Sequence, residues 1–312
     1  MDLSIIIVSW NTRDLLAQCL ESVVSSQTTV ARQDPNLATD DWRLATEIFV
    51  VDNASADGSA QMVRERFPQV HLIENHENVG FARANNQAIR ISTGRYVLLL
   101  NSDTLVLPNA LAQMVAFMDA HPEAGIVGAN VLNVDGTPQF CYGKFPSLIP
   151  ETFLALGLNT HFPFSLWFHP QVGVDQAFIE TDWVAGAALL VRRATLDQVG
   201  LLDESYFMYS EEIDLARRVQ CAGWHTCVVR DAPIVHLGQQ SSKQMPAVMK
   251  AQLFRSKVLY FNKHHGRMVG ALLRFIFGAT VIVKCWTYRA LQRTSLAELW
   301  SETWRYFESE RK

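Results

Sequence analysis

Leu98-Leu99-Leu100-Asn101-Ser102-Asp103-Thr104 passes from an apolar run to a polar cluster in a single step. Tyr96 and Val97 precede it, which gives the length and composition of a buried strand. In open α/β sheets, ligands bind beyond the carboxyl ends of parallel strands. Asp103 then stands where a carboxylate can hold a hard cation, and such a cation can hold phosphate oxygens. Taken alone, Asn-Ser-Asp is equally a turn cluster after a strand. The flanking sequence has to decide between the two.

Upstream the same junction recurs. Leu3–Val8 is a β-branched strand followed by Ser9-Trp10-Asn11-Thr12. Leu16, Cys19, Leu20 and Val23 then keep helical spacing, with Asn11 or Thr12 as the cap. Residues 27–43 are polar and predict an extended loop or small insertion. Ile48–Val51 is the next strand, closed by Asp52-Asn53-Ala54-Ser55-Ala56-Asp57-Gly58-Ser59. Ser59–Arg66 reads as helix, Val70–Ile73 as a short strand, and the segment from Asn78 to about Ser92 as another helix. Strand and helix thus alternate, and polar clusters follow strands one, two and four. The pattern predicts an α/β fold with a mostly parallel, doubly wound sheet whose polar clusters meet at one edge. No GxGxxG follows the first strand and no GxxxxGK[ST] occurs, which argues against a dinucleotide dehydrogenase or a P-loop NTPase.

Downstream, a helix is expected over Asn109–Ala120 and a strand over Gly125–Val131, with a turn at Asp135-Gly136. Residues 140–175 read as loop-rich, with helix near Glu151–Leu156. Asp182–Val191 reads as one continuous strand with small residues that admit a ligand or a second backbone. Arg192–Val199 is a short helix. Ser210 is the expected N-cap of a helix through Cys221, with Ile213, Ala216 and Val219 on one face. His225–Val229 is a strand, and Pro233–His236 follows. The tail from Pro246 is mostly helical. Met268–Val283 is apolar apart from Arg274 and is flanked by Arg267, Lys284, Arg289 and Arg293. It fits a helix lying in a membrane interface or one packed on the core or a partner. No apolar stretch is expected to reach the 18 or so residues that span a bilayer.

At 312 residues the chain has room for one large domain or two smaller ones. A net charge of −4 gives no expectation of nucleic-acid binding. Cys19, Cys141, Cys221, Cys227 and Cys285 form no CxxC pair and read as reduced thiols of a cytosolic protein. The N-terminus reads as a first strand, not a signal peptide.

Six segments in order carry a resemblance: VSWN at Val8–Asn11, VVDNASADGS at Val50–Ser59, ENVGFARANN at Glu77–Asn86, LLLNSDT at Leu98–Thr104, WVAGAALLVRR at Trp183–Arg193 and MYSEEIDLARRV at Met208–Val219. Over residues 3–240 the chain resembles the inverting family 2 glycosyltransferases with the A-type fold, and among them the rhamnosyltransferase-like branch. The resemblance implies a nucleotide-sugar-binding half (1–104), an acceptor-binding and catalytic half of the same domain (105–240), and a helical C-terminal tail (241–312). It implies a nucleoside-diphosphate-sugar donor, dTDP-L-rhamnose before a UDP-hexose. It implies an acceptor that is a saccharide or lipid-linked saccharide of bacterial surface polysaccharide synthesis. The location expected is the cytoplasm, or the inner face of its membrane where the basic, apolar C-terminal segment supplies the contact.

The family's metal carboxylate falls on Asp103, and His236 is a second candidate ligand for Mg2+ or Mn2+. Asn101 stands where the family's first motif Asp is usual; it can hydrogen-bond ribose or phosphate but brings no charge. Ser9, Asn11, Asp52 and Asn53 are expected around the base and ribose. Gly80, Arg83, Asn86, Asn101 and Ser102 are expected near the diphosphate or sugar, with Gly80 opening a helix N-terminus that favours anions. An inverting transfer needs one base for the acceptor hydroxyl. The matching pair is Glu211-Glu212, with Glu212 the expected base in place of the usual Asp and Glu211 and Asp214 as alternatives. Adjacent carboxylates raise one pKa, and the same residues also suit an acidic first helical turn. Asp182, Trp183 and Gly186 are expected on the acceptor side. Two rivals stand: a nucleotidyltransferase, which would want glycine in Ser9–Thr12, and a non-catalytic nucleotide-sugar-binding protein.

Overall fold

The computed structural model describes residues 1–29, 44–158, 177–238 and 244–309. Most of the predicted insertion (30–43) and the second half of the loop-rich region (159–176) lie outside the described residues.

The N-terminal half alternates as the polar junctions predict. It comprises β1 (Leu3–Ser9), α1 (Arg13–Thr29), β2 (Thr46–Asp52), α2 (Ser59–Arg66), β3 (His71–Glu74), α3 (Phe81–Ile91) and β4 (Tyr96–Asn101). α1 carries helix through Thr29, where a loop was expected from residue 27. β1 pairs in parallel with both β2 and β4, and β2 with β3. The registers Ser9↔Asp52 and Val8↔Asn101 bring three strand ends, and their polar clusters, to one edge.

The apolar runs are continuous because both sheet faces are covered. Ile5, Ile7, Leu98 and Leu100 pack on one side with Leu16, Leu20 and Met62 of α1 and α2. Ile6, Val97 and Leu99 pack on the other with Ala82, Ala84 and Ala88 of α3. A one-residue slip would exchange the two sets.

The remaining elements are β5 (Thr104–Val106), α4 (Ala110–Ala120), β6 (Ala124–Leu132), β7 (Tyr142–Gly143), α5 (Leu148–Leu156), β8 (Phe178–Glu180), β9 (Trp183–Val184), β10 (Ala188–Arg192), α6 (Arg193–Val199), α7 (Glu211–Cys221) and β11 (His225–His236). The main sheet runs β3-β2-β1-β4-β10-β6-β11-β5, with β8 also on β11. β10 is antiparallel to β4 and β6, while β6 and β11 are parallel.

Three expectations change here. The strand read over Asp182–Val191 is broken. Trp183–Val184 pairs with β7, and Ala188–Arg192 joins the main sheet. Ala185-Gly186-Ala187 crosses between them, held by Ala185 N–H to the Cys141 carbonyl (2.7 Å) and by Asn101 N–H to the Ala187 carbonyl (3.0 Å). β5 was not foreseen; it pairs antiparallel with the end of β11. Ser210 precedes α7 but makes no side-chain cap bond, since its backbone is left-handed at φ 68°. At α1 the cap comes from afar, as Asp57 Oδ2 accepts Arg13 N–H at 2.8 Å.

The tail is helical: α8 (Pro246–His264), α9 (Arg267–Ala290) and α10 (Thr294–Glu308). Its core, with Phe254, Phe261, Phe277, Trp300 and Phe307, is continuous with Tyr206 and with Ile213 of α7. α9 corrects another expectation. It contains an 18-residue window of mean hydropathy 1.8, long and apolar enough by composition to cross a membrane. The window tolerates Arg274 because its other residues are strongly apolar.

Candidate active site

The polar edge of the sheet opens onto a cleft of about 920 Å³. Asn101, Ser102 and Asp103 reach it from the end of β4, His236 from the end of β11, Glu211 and Glu212 from the start of α7, and Gly186 from the crossing segment. Asp103 and Glu212, 109 residues apart in the chain, therefore line one cavity.

Asp103 Oδ1 lies 3.2 Å from His236 Nε2, and both side chains are largely buried. His236 Nδ1 is 2.6 Å from Gln139 Oε1, an acceptor. Gln139 is itself fixed through its Nε2 donating to Asn133 Oδ1 at 2.9 Å. The network places a ring proton on Nδ1, and Nε2 faces the Asp103 carboxylate, an approach that needs a proton or a cation between the two. The donor set fits a hard divalent cation that also takes substrate oxygens and water. Among the described residues no cluster of three or more His, Cys, Asp or Glu ligands forms. Asn101 Nδ2 approaches Nε2 at 3.5 Å.

Glu211 and Glu212 begin α7 side by side, and each keeps one buried carboxylate oxygen without a hydrogen-bond partner. Burial first, and then the charge of Glu212, pushes the Glu211 carboxyl well above the usual range. Burial also raises Glu212, while backbone amides and the Glu211 side chain pull it back. Both carboxyls are thus raised by burial, Glu212 to about 7 and Glu211 well above the usual range, so Glu211 is the member that holds its proton more tightly. That division of roles matches a base presented to the cleft.

Asp214, half a turn beyond Glu212, does not line the cleft. Its carboxylate is fully buried against Arg218 Nε (2.9 Å), Lys263 Nζ (2.8 Å) and His264 Nε2 (2.7 Å), so it ties α7 to α8.

Several expected donor contacts are otherwise employed. Gly80 has φ 86°, and the first amide of α3 is not open to an anion: Phe81 N–H donates to the Phe207 carbonyl at 2.6 Å. Asn86 is buried and spent on the Leu202 backbone, donating at 2.8 Å and accepting at 3.1 Å. Arg83 is exposed and does not line the cleft. Ser9 is buried in a hydroxyl chain, Ser9–Thr12–Ser102, with 2.9 Å links. Asn11 braces the 55–56 turn, where its Oδ1 accepts Ala56 N–H at 2.8 Å. Asp52 accepts Ser55 N–H at 3.0 Å and keeps Oδ1 buried and unpartnered. Asn53 does line the cleft, and its amide fixes the 75–80 loop through Asn75, Asn78 and Val79.

On the acceptor side, Asp182 is committed to Phe145 N–H (2.8 Å) and Trp183 Nε1 to the Lys144 carbonyl (2.9 Å). Gly186 alone of that trio lines the cleft. Trp10, Gln139, Phe140 and Tyr209 line it as well and were not anticipated. Trp10, inside the quoted VSWN, and Tyr209, inside the quoted MYSEEIDLARRV, had a sequence signal; Gln139 and Phe140 had none.

The profile of Glycosyl transferase family 2 matches residues 4–166, and that of Glycosyl transferase family group 2 matches 96–300. The chain is 29% identical over 258 residues to the N-acetylglucosaminyl-diphospho-decaprenol L-rhamnosyltransferase of Mycobacterium tuberculosis, covering 77% of this chain and 84% of that protein. It is 24% identical over 248 residues to the low-salt glycan biosynthesis hexosyltransferase Agl10 of Haloferax volcanii, 76% of each. Its fold is similar to that of the mannosyltransferase PcManGT from Pyrobaculum calidifontis in complex with GDP-Man and Mn2+. That match has TM-score 0.57 at 17% identity and covers 99% of this chain and 88% of that one. GalNAc-T7 with UDP, GalNAc and Mn2+ gives TM-score 0.57 at 16% identity, over 76% of this chain and 44% of that one.

Proposed function

Because this chain belongs to glycosyl transferase family 2, we propose that it moves a sugar, with inversion, from a nucleoside-diphosphate donor to an acceptor hydroxyl. The observation that carries this is the joint placement of Asp103 with His236 and of Glu211 with Glu212 around one cleft. The donor is dTDP-L-rhamnose, a choice supported by the similarity to the mycobacterial rhamnosyltransferase. A UDP-hexose is the alternative, favoured by the similarity to a hexosyltransferase. The acceptor is a saccharide or lipid-linked saccharide of bacterial surface polysaccharide assembly, and the reaction belongs in the cytoplasm. Residues 1–104 serve the nucleotide sugar and 105–240 the acceptor.

Glu212 takes the proton of the acceptor hydroxyl as its oxygen bonds to the anomeric carbon. The bond from that carbon to the diphosphate breaks, and the nucleoside diphosphate leaves. Glu211 keeps its own proton and orients Glu212 by donating to it. Asp103 and His236, with Asn101 beside them, would hold Mg2+ or Mn2+, which lowers the cost of charge building on the leaving diphosphate. Trp10, Asn53 and Gly186 line the cleft, and we assign the first two to the nucleotide and Gly186 to the acceptor.

A donor screen tests the reading. Thermal shift with dTDP-rhamnose and with UDP-, GDP- and CDP-sugars, each with and without Mn2+, should show one donor-specific, metal-dependent rise. Release of nucleoside diphosphate in the wild type but not in Glu212→Gln then separates turnover from binding. Binding without turnover would instead support the nucleotide-sugar-binding reading that Asn101 keeps alive.

A further inference from the structure

We propose that one face of α9 docks the protein on an anionic phospholipid bilayer. Met268, Leu272, Phe275, Ile282, Val283 and Trp286 are all exposed, Phe275 at 73% and Trp286 at 68%. At 100° per residue they fall within a stripe about 100° wide along the helix. The opposite face, with Leu273, Phe277, Val281 and Cys285, is buried against the tail core. A lone exposed Leu or Phe is ordinary, whereas a continuous stripe marks an interaction surface.

Charge selects the occupant. From residue 267 to 297 there is no Asp or Glu, while Arg267, Arg274, Lys284, Arg289 and Arg293 fall in that stretch of a chain whose net charge is −4. Arg274 is turned to Glu308 and Lys284 to the Trp300 ring. Arg267 lies exposed at the start of the stripe, and Arg289 and Arg293 lie exposed beyond its end. A second copy laid face to face would set two acid-free basic stretches against each other. A bilayer with anionic headgroups meets both features: the apolar side chains enter the headgroup boundary and the arginines find phosphates. Although α9 is long enough to span, its packed inner face would have to leave the domain to do so. It therefore lies along the surface. The proposal stands apart from the reaction, because its readout is lipid binding.

Flotation of the full chain with phosphatidylglycerol–phosphatidylcholine vesicles, against pure phosphatidylcholine, is the test. The wild type should float with the anionic vesicles and release as salt is raised. The exposed double substitution F275E/W286E should cut the bound fraction about tenfold or more while the melting temperature holds. R267E/R289E should lose the preference for anionic vesicles. A wild type that floats with neither vesicle, or F275E/W286E floating unchanged, overturns the proposal. So does a lipid-free dimer, seen by light scattering, that F275E/W286E dissolves.

Discussion

Asp103 Oδ1 and His236 Nε2 stand 3.2 Å apart where β5 turns back against the end of β11, with His236 registered opposite Thr104. The pair joins the end of β4 to the last residue of a strand more than a hundred positions later. If the two hold the cation together, Gln139→Ala, which frees the ring, should weaken Mn2+ binding roughly 10-fold, and His236→Ala, which removes the ligand, by about 100-fold or more. Asn101→Asp adds a carboxylate at the same strand end and should tighten binding. Calorimetric Mn2+ titration in the presence of a nucleoside diphosphate checks all three. Equal affinity in wild type and His236→Ala would remove His236 from the site.

The carboxylate pair predicts an asymmetric response to two isosteric changes. Glu212→Gln removes the proton acceptor and should lower kcat by about 10²–10⁴-fold with KM for the donor little changed. Glu211→Gln keeps a donor beside Glu212 and should cost far less, with the acid limb of the pH–rate profile moved. Steady-state kinetics on both variants decide it. The reverse order would make Glu211 the base.

The same pair makes a stability prediction with a definite sign. Glu211 is raised in the folded state, first by burial and then by Glu212, so the folded protein holds its proton more tightly than the unfolded chain does. Its contribution is complete below the ordinary carboxylate pKa and is lost as pH rises through the raised value. Glu211→Gln cannot lose that proton. Its advantage in melting temperature over the wild type should grow from acid toward neutral and alkaline pH, at up to about 1.4 kcal/mol per pH unit. Melting curves across that range check it, and a constant offset would contradict it.

The parts legible in the sequence were those set by long periodic runs. Ile5–Ile7 and Val97–Leu100 are apolar on both faces because helices cover both, and their abrupt polar ends mark the edge that became the cleft. The break at Ala185-Gly186-Ala187 was hidden because small apolar residues read as continuous strand. β5 was hidden by its length of three residues. Asn86 and Gly80 lay in a true motif but serve packing: a polar residue in a motif can be spent on the backbone as easily as on a ligand. Gln139 lies 97 positions from His236, a pairing no local pattern encodes.

Asp214 is predicted to carry stability where Glu212 carries chemistry, although the two are half a turn apart. Its buried carboxylate answers Arg218, Lys263 and His264 together. Asp214→Ala would leave those three part-buried groups without their shared anion, at a cost of about 3 kcal/mol or less because solvent reaches Lys263 and Arg218. Lys263→Ala should cost less, since Arg218 and His264 still answer Asp214, and the Asp203 partner that Lys263 also serves is part-exposed. Urea unfolding of the two variants measures the difference.

Gly80 and Gly186 both sit in quoted motifs, yet substitution should separate them. Gly80 has φ 86° and ψ 167°, a region close to glycine-only, and a Cβ there would lie 2.5 Å from the Phe207 carbonyl oxygen. That carbonyl receives Phe81 N–H and belongs to the segment that runs through Tyr209 and Ser210 into Glu211. Gly80→Ala should therefore cost about 3 kcal/mol or more and displace the carboxylate pair, lowering melting temperature and kcat together. At Gly186 the nearest atom to an added Cβ is on the Phe81 ring, 3.7 Å away, an ordinary contact. Gly186→Ala should keep the melting temperature and act on KM, since its methyl group would stand at the cleft wall. Thermal melts alongside acceptor kinetics distinguish the two. Equal loss of stability in both variants would mean that Gly186, like Gly80, is held by the fold and not by the cleft.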